Sequence, residues 1–392
     1  MTKQNYNNEA SFVCFGGVDW WYHSRAHIDP QLTIRFARKG RTLYINSIIM
    51  TKLNVGRGRN FLQRLVRKMK SLFKGLKKSE KGFWVYSPFT LPVHHIWWAK
   101  PLNELLLRLQ IFTITRKLGI RRPTVLVANP AACDTAIWLK KKKMIYQRTD
   151  RFEEAEGIDV DTIVKYDRKL KANSDLTIYV SKNLYEQESS QCRKPFFLDH
   201  GVDFDMFAGA EKTPDVPQDM VDIPKPVAGY FGAISSHSVD IALAEKIADL
   251  LPDVSFVYVG TAYEECPGLR AKKNVWFLGQ KDYEQIPCYG KCFDVAILPW
   301  VPNKWTEAAN PIKVKEYLAL GKPFVTTPVF TQLQEYLDVA YIADTPEEFA
   351  RCIEKALKEN GPERIAARRE KVKEDTWDYK AELLLQELYK EQ

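Results

Sequence analysis

One stretch decides the fold of this chain: Asn310-Pro311-Ile312-Lys313-Val314-Lys315-Glu316-Tyr317-Leu318-Ala319-Leu320-Gly321-Lys322-Pro323, followed by the apolar run Phe324-Val325-Thr326-Thr327. Proline is favoured at the first position of a helix, and glycine suits the left-handed residue that ends one. The stretch therefore predicts a short helix between Pro311 and Gly321, followed by a buried strand.

The start of this predicted helix has the chemistry of an anion site. The exposed N–H groups of a helix start and the positive end of its dipole attract anions, and Asn310, Pro311 and Ile312 would form that start. Lys313 lies in the first turn, and Glu316 follows about one turn later on the same side. This arrangement suits a ligand with a phosphate end and a hydroxylated sugar end, such as a nucleotide sugar. An ordinary amphipathic helix is the alternative interpretation.

The same stretch resembles the donor-binding motif of GT-B nucleotide-sugar glycosyltransferases, a Glu, a short apolar run, Gly-x-Pro and a strand. Glu316, Gly321 and Pro323 match it. The common retaining families carry a second Glu eight residues earlier, where this chain has Ala308. The Asn-Pro-x-Lys-x-x-Glu form is similar to bacterial polysaccharide glycosyltransferases of the group 1 type. The resemblance implies a hexosyltransferase that uses a nucleotide sugar as its donor.

Apolar runs of strand length recur along the whole chain and alternate with helix-length segments, a pattern typical of parallel sheets covered on both faces. The first series is Phe12–Phe15, Thr42–Ile45, Phe83–Tyr86, Thr124–Val127, Met144–Tyr146 and Leu176–Val180. The second is Val227–Phe231, Val254–Val259, Val275–Leu278, Phe293–Leu298, Phe324–Thr327 and Ala340–Ile342. We therefore predict an α/β protein, and the resemblance implies the GT-B architecture of two doubly wound Rossmann-like domains facing across a cleft.

A proline-rich connector near residues 205–226 separates the two series. We place an acceptor- and membrane-facing domain at residues 1–210 and a donor-binding domain at 211–374. Residues 375–392 resemble the final helix that crosses back to the first domain in this fold. A chain of 392 residues is long enough for two such cores.

The composition bounds the location of the protein. Its seven cysteines are scattered and lack CxxC spacing, which favours reduced thiols in the cytoplasm. No signal peptide and no apolar run of spanning length is found in the sequence. Residues 1–150 hold 28 Lys and Arg against 7 Asp and Glu, a net +21; because the whole chain is +9, the remainder carries −12. The two halves are expected to face different partners.

Residues that follow the strands of the first domain are candidates for the acceptor side, because ligands bind outside the carboxyl ends of parallel strands. Gly16 and Gly17 follow the first strand, where their backbone would allow a substrate to approach closely. Asp19 and His23 come next. His23 and His27 lack a third metal ligand, so we expect no metal there.

Asp150 closes a later strand of the first domain, where the cleft between the domains is expected. A carboxylate there is a candidate general base for the acceptor hydroxyl, and a helix cap is the equally weighted alternative. His23 is the second catalytic candidate, and Glu153 and Glu154 are reserves. Arg148 is a candidate phosphate contact.

In the second domain, Gly232 ends the first strand and resembles the loop beneath the donor phosphates in GT-B proteins. The sequences Asp159-Val160-Asp161 and Asp203-Phe204-Asp205 match the DxD motif of metal-dependent glycosyltransferases, but neither follows a strong strand, so both are interpreted as helix starts. No cofactor and no metal are therefore expected, and Lys313 with helix dipoles would carry the phosphate charge.

A basic segment interleaved with apolar residues predicts a helix that lies on an anionic membrane surface. A solvated face of a folded domain is the alternative. Trp97 and Trp98 suit the lipid–water interface, or else a core pair. No nucleic-acid-binding motif accompanies the charge. The candidate membrane residues are Arg64, Arg67, Lys68, Lys70, Lys74, Lys77, Lys78, Trp97 and Trp98.

The first hypothesis is a cytoplasmic glycosyltransferase, peripherally associated with the inner face of the membrane, that moves a sugar from a nucleotide donor to a lipid-linked saccharide. Retaining transfer would need no protein base, whereas inverting transfer would use Asp150 or a neighbour. A non-catalytic GT-B scaffold at the membrane and a nucleotide-sugar epimerase are the alternatives.

Overall fold

The computed structural model describes residues 10–22, 25–48, 66, 69–90, 99–154 and 159–390. The chain forms two compact units. The first comprises Met1–Asp199 together with Ala381–Gln392, and the second comprises His200–Lys380. Each unit is built on one largely parallel β-sheet with helices between its strands, so the predicted α/β class is confirmed.

The first unit contains an eight-stranded sheet in the order β3-β4-β2-β1-β5-β6-β7-β8. Its strands are β1 Ser11–Phe15, β2 Arg41–Ile45, β3 Leu76–Lys78, β4 Trp84–Tyr86, β5 Thr124–Val127, β6 Lys143–Arg148, β7 Leu176–Tyr179 and β8 Pro195–Phe197. Its helices are α1 Ile28–Ala37, α2 Ala99–Lys117, α3 Cys133–Trp138, α4 Val160–Asn173 and α5 Lys182–Glu188. Among the described strands of this sheet, only the β3–β4 pair is antiparallel.

The second unit contains a six-stranded parallel sheet in the order β11-β10-β9-β12-β13-β14. Its strands are β9 Val227–Phe231, β10 Ser255–Val259, β11 Val275–Gly279, β12 Val295–Leu298, β13 Phe324–Thr326 and β14 Ala340–Ile342. Its helices are α6 Phe204–Ala208, α7 Ile241–Leu250, α8 Pro267–Arg270, α9 Ile286–Gly290, α10 Lys304–Ala308, α11 Ile312–Ala319, α12 Pro346–Lys358 and α13 Pro362–Glu370. The last helix, α14 Trp377–Tyr389, has residues in both units.

The central strands lie where the apolar runs predicted them. Both faces of each sheet are covered, so these strands need continuous apolar sequences. Every residue of β1, β5, β9 and β10 is buried. Twelve of the strands correspond to predicted runs, whereas β3 and β8 were not predicted. These two short strands lie at the two edges of the first sheet, and the mixed polar sequence Leu76-Lys77-Lys78 of β3 carries no apolar signal.

In each sheet the strand order reverses beside the first strand of the unit, between β1 and β5 in the first sheet and between β9 and β12 in the second. In open parallel sheets, ligands bind outside the carboxyl ends of the strands at such a point. The residues that follow β9 and β12 are therefore the first place to look for a ligand site in the second unit.

The prediction of one basic helix through Lys77 and Lys78 is wrong. Residues 69–74 are helical, but Gly75 has φ +53° and ends the helix, because a left-handed glycine is a common helix terminator. Lys77 and Lys78 belong to β3 and pair with Val85 and Trp84. Arg64, Arg67, Lys68, Trp97 and Trp98 lie outside the described residues.

The N-terminal part of the first unit ends at Asp199, whereas the sequence placed the domain boundary at residue 210. Residues 200–210 pack within the second unit. Val202 forms a parallel bridge with Thr376, and the ring of Phe207 lies 6.4 Å from that of Phe231 between centroids. Long-range contacts of this kind leave no local signal in the proline-rich connector.

Candidate functional site

Lys313 lies in the first turn of α11, directly above the glycine that follows β9. Its Nζ donates a hydrogen bond to Tyr230 Oη at 2.9 Å and lies 4.5 Å from the centroid of the Tyr230 ring. A Cβ atom added to Gly232 would stand 2.6 Å from Nζ. The structure therefore places a cation against the glycine loop at the switch point of the second sheet.

The start of α11 leaves its first N–H groups without a side-chain cap among the described residues. Pro311 is the N-cap, with φ −74° and ψ 104°, and the helix begins at Ile312, one residue later than the sequence predicted. The helix ends as predicted, because Gly321 has φ +76°. Asn310 immediately precedes the N-cap. These elements form the positive end of a helix next to Lys313, which favours an anionic ligand.

Two strand ends meet at this site through backbone atoms alone. Gly232 N donates to Val259 O at 2.9 Å, and a Cβ atom on Gly260 would lie 1.8 Å from Gly232 O. Both glycines have positive φ, +137° and +155°. Gly260 was not among the predicted site residues, although it follows an apolar strand as Gly232 does, and that repeated pattern was the available signal.

Glu316 is buried inside the second unit, one turn beyond Lys313. Tyr283 Oη donates a hydrogen bond to Glu316 Oε1 at 3.0 Å. Burial raises the pKa of this carboxyl to about 7, against the smaller opposing effects of the Tyr283 hydrogen bond and the Lys313 charge. The carboxyl is therefore poised to accept or donate hydrogen bonds near neutral pH. Tyr283 was also missed, since 33 residues separate it from its partner in the chain.

In the first unit, Asp150 follows β6 and is half-buried. Burial raises its pKa to about 6, and the neighbouring Arg148 guanidinium lowers it. A carboxylate with this pKa is ionised at neutral pH yet remains a stronger proton acceptor than an ordinary aspartate. This property suits the predicted general base, because the best catalytic pKa lies near the working pH.

Arg148 is held in a buried ion-pair cluster. Its Nη2 lies 2.8 Å from Glu153 Oε1 and 3.0 Å from Glu188 Oε1, and its side chain is 1% exposed. Lys171 belongs to the same cluster through a 2.8 Å contact to Glu188 Oε2. A phosphate contact by Arg148 would require breaking these pairs, so the geometry favours a role in holding the loop that carries Asp150.

The loop after β1 is held by buried polar contacts. Asp29 Oδ2 accepts hydrogen bonds from Gly17 N at 2.9 Å and from Tyr44 Oη at 2.8 Å. A Cβ atom on Gly16 would lie 2.1 Å from the Tyr44 ring, so this glycine makes room for Tyr44. Gly16 therefore lacks a side chain for a packing reason, which the sequence did not show.

Asp19, the next residue of interest in this loop, accepts a hydrogen bond from Ser71 Oγ at 2.6 Å and is buried. The contact ties the loop to the helical residues 69–74. Lys74, in the same helical segment, places Nζ 4.7 Å from the ring centroids of both Trp21 and Tyr22. Lys70 is exposed. His23 lies outside the described residues.

The structure therefore brings together Gly232, Lys313 and Glu316 in the second unit, and Asp150 with Arg148 in the first. Asp159 and Asp203 stand at the N-caps of α4 and α6, as the helix-start interpretation predicted. Within the described ranges, no group of three or more His, Cys, Asp or Glu side chains is placed to hold a metal ion. That the reaction needs no metal stays a prediction.

The segment that contains this site is similar to known proteins. Residues 225–359 match the family model described as "Glycosyl transferases group 1", and they include the whole cluster of Gly232, Lys313 and Glu316. A Bacillus subtilis protein provisionally assigned as a teichuronic acid biosynthesis glycosyltransferase, TuaH, is 28% identical over 197 residues, which are 47% of this chain. The match spans about half, 48%, of that relative's length.

Solved structures resemble the chain over nearly its whole length. Sucrose-phosphate synthase from Thermosynechococcus elongatus superposes with a TM-score of 0.70 at 14% identity, covering 97% of this chain and 98% of that one. Anabaena HepE, solved with UDP and glucose, has a TM-score of 0.66 at 11% identity, covering 98% and 100%. At such identities the likeness concerns the fold.

The fold is of the GT-B type that the sequence predicted, and residues 225–359 are similar to the group 1 glycosyl transferases. None of the helices in the described part of the chain is long and apolar enough to cross a bilayer.

Proposed function

We propose that this protein transfers a sugar from a nucleotide-sugar donor to a lipid-linked saccharide acceptor in the synthesis of a cell-surface polysaccharide. The observation that carries the proposal is the position of Lys313, above Gly232 and in the first turn of α11, at the switch point of the second sheet. This is the place where a parallel sheet binds ligands, and its charge suits a diphosphate.

Bond cleavage at the sugar leaves negative charge on the departing nucleoside diphosphate. The Lys313 ammonium and the N–H groups at the start of α11 are preorganised donors for that charge, so they would stabilise the transition state more than the bound donor. Glu316, one turn further on, would accept hydrogen bonds from the hydroxyl groups of the nucleotide sugar. The structure of HepE with UDP supports uridine diphosphate as the first nucleotide to test.

A lipid-linked acceptor is supported by the charge of the first half of the chain and by the name of TuaH. Residues 1–150 carry a net +21, which favours association with an anionic surface. TuaH is named for teichuronic acid biosynthesis. We infer a peripheral position at the inner face of the membrane, with the acceptor presented to the first unit.

The stereochemical outcome depends on whether a protein base takes part. In an inverting transfer, Asp150 would accept the proton of the acceptor hydroxyl as the new glycosidic bond forms. In a retaining transfer no protein base is required, and Asp150 would serve only to position the acceptor. Ala308, at the end of α10, supplies no carboxylate to the donor side in either case.

The test is thermal unfolding of the full chain with UDP, GDP, dTDP, CMP or NAD, followed by the Lys313→Ala variant. A ligand that binds only the folded state raises Tm, so we expect a rise with one nucleoside diphosphate. Lys313→Ala should abolish that rise and lower sugar transfer. Lys304→Ala, at an exposed lysine of the neighbouring helix α10, is the matched control and should keep both.

Unchanged nucleotide binding and sugar transfer in Lys313→Ala would overturn the donor-site assignment. Nucleotide binding without any transfer to a lipid-linked acceptor would instead point to the non-catalytic scaffold. Conversion of the nucleotide sugar in the absence of any acceptor would identify an epimerase.

A further inference from the structure

Helix α2 in the first unit has an apolar face that points away from the core. Leu102, Leu105, Leu109 and Phe112 recur at intervals of three and four residues, so they share one side of the helix. Their side chains are 41%, 54%, 55% and 45% exposed. Single exposed apolar residues are ordinary on protein surfaces, but four on one face of one helix mark a binding surface.

The opposite face of α2 already fills the core, so packing within the unit does not account for the outer one. Leu107, Ile111 and Ile114 are at most 8% exposed and belong to the main hydrophobic cluster of the first sheet. A helix that is apolar on both sides needs a second apolar neighbour. No described part of the chain covers the outer face.

Two further exposed aromatic residues lie on segments that are hydrogen-bonded to α2 or to each other. The Gln110 amide on α2 accepts from Phe89 N and donates to Phe89 O, each at 2.9 Å, and Phe89 is 50% exposed. Ser87 N donates to Gly75 O at 3.3 Å, which ties the end of the helical residues 69–74 to the same segment. Phe73, in that helical segment, is 85% exposed.

We propose that these six residues, Leu102, Leu105, Leu109, Phe112, Phe73 and Phe89, form a membrane-inserting surface that docks the first unit on an anionic phospholipid bilayer. We call them the apolar surface. The inference rests on the proposed lipid-linked acceptor and assigns the partner surface to named residues. It also moves the main contact from the predicted basic helix to the outer face of α2.

Charge complementarity selects the bilayer as the occupant. The outward side of α2 carries Arg116, whose guanidinium lies 4.6 Å from the Phe112 ring centroid, while the acid Glu104 is paired with Arg108. Apolar side chains rimmed by basic ones suit the boundary between acyl chains and anionic headgroups. A second copy is disfavoured because a two-fold contact would bring the Arg116 side chains of both copies into one interface.

The experiment is flotation of the full chain with phosphatidylcholine vesicles, with and without phosphatidylglycerol. The double variant Leu105→Gln/Leu109→Gln should bind phosphatidylglycerol vesicles more weakly by on the order of tenfold or more, because two exposed leucines no longer enter the apolar layer. The matched control is Leu250→Gln/Leu337→Gln, at two leucines of the second unit that are 45% and 51% exposed. It should bind as the unchanged protein does.

Circular dichroism and Tm should match in all three proteins, because the substituted side chains are exposed. Equal vesicle binding by the double variant and the unchanged protein would overturn the proposal. A second result would also overturn the proposal: the unchanged protein is a dimer that does not bind vesicles, and the double variant is a monomer. The occupant of the apolar surface would then be a second copy.

Failure of this inference can be told apart from failure of the proposed function. The UDP-dependent rise in Tm and transfer to a short-chain, water-soluble acceptor should survive in the double variant, because neither is proposed to use a residue of the apolar surface. If vesicle binding changes as expected but no nucleotide raises Tm, the docking surface is supported and the donor-site assignment is contradicted. The opposite pair of results removes only the docking surface.

Discussion

Glu316 shows how burial tunes one side chain of the candidate site. It is 3% exposed, and the Tyr283 hydroxyl donates a hydrogen bond to its Oε1. A carboxylate in that position loses hydration that one hydrogen bond only partly replaces, so the protonated form is favoured. The sequence showed a carboxylate one turn from a lysine, but only the packed structure shows that this carboxyl titrates near neutral pH.

We expect Glu316→Gln to stabilise the protein at alkaline pH. The folded-state pKa of about 7 lies above the usual value of 4.5, so the folded chain binds a proton that the unfolded chain releases. Stability is therefore lost as pH rises from about 4.5 to 7. Glutamine keeps an acceptor for Tyr283 and does not ionise, so above pH 8 the gain should be on the order of 3 kcal/mol.

Calorimetric melting of Glu316→Gln across this pH range checks the prediction. The gain should disappear below pH 4.5, where both proteins are uncharged at this position. Glu354→Gln, at an exposed residue of α12, is the control and should show little change at any pH. If the stability change in Glu316→Gln does not depend on pH, its cause is packing and not ionisation.

Asp150 carries the second residue-scale prediction, which applies to an inverting transfer. Its pKa of about 6 means that the base form is lost as pH falls through 6, so kcat/KM should decline on the acid side with that midpoint. Asp150→Asn should lower the transfer rate by about 10²–10⁴-fold and remove this acid limb. The measurement is a pH profile of sugar transfer.

Asp161→Asn, at an exposed acid in the first turn of α4, is the control for Asp150→Asn and should retain the rate. A full rate in Asp150→Asn would assign the transfer to a mechanism without this base. Analysis of the anomeric configuration of the product would then be expected to show retention.

At the scale of elements, the close approach of the ends of β9 and β10 is the feature that shapes the proposed donor site. Gly260 has to be glycine because its φ is +155° and a Cβ would meet the carbonyl oxygen of Gly232. The helix α11 then places Lys313 over the same glycine. The ends of β9 and β10 and the start of α11 thus meet at one point. Gly232 and Gly260 make this possible because they have no side chains.

Gly260→Ala should destabilise the second unit by about 3 kcal/mol, since both the dihedral strain and the overlap with Gly232 O must be relieved by backbone movement. It should also remove the UDP-dependent rise in Tm. Gly209→Ala is the matched control, because that glycine has φ −74° and no atom within 4 Å of the added Cβ. The control should change stability by less than ~1 kcal/mol.

Denaturant unfolding of the two glycine variants provides the comparison. Equal stability of Gly260→Ala and the unchanged protein would contradict the close approach of the two strand ends. A stable Gly260→Ala variant that does not bind UDP would support the site assignment and contradict only the predicted loss of stability.

The elements also show what could be predicted from the sequence. Buried strands such as β5 and β9 were located to the residue because a continuous apolar run between turns is a local signal. The helix α11 was delimited by its proline and its glycine. Edge strand β3 was missed and its lysines were assigned to a helix, because its strand conformation depends on pairing with β4, which begins after Lys78 in the chain.

At the scale of the whole molecule, the last helix is the element that most depends on distant partners. From Ala381 onward α14 belongs to the first unit, where Glu382 pairs with Lys39 and Glu387 pairs with Lys194, each at 2.7 Å. Leu384 and Leu385 are fully buried. The C-terminal segment thus completes a unit whose other residues all come before residue 200.

Leu384→Ala should therefore destabilise the first unit by about 2–5 kcal/mol, the cost of a cavity at a buried leucine. Limited proteolysis should show earlier cleavage within residues 1–199. Gln386→Ala, at an exposed position of the same helix, is the control and should change stability by less than ~0.5 kcal/mol. Equal protease resistance of the two variants would show that α14 is dispensable for the first unit.

The sequence by itself determined the α/β class, the two series of strands and the helix with a lysine in its first turn, because apolar runs, prolines and glycines act on the chain nearby. Only the tertiary structure decided the pKa of Glu316, the enclosure of Arg148 by Glu153 and Glu188, and the outward apolar face of α2. The sequence predicted that the last helix crosses back to the first domain, and the tertiary structure decided that this part of α14 begins at Ala381. Burial and ion pairing join residues far apart in the chain, so no local pattern records them.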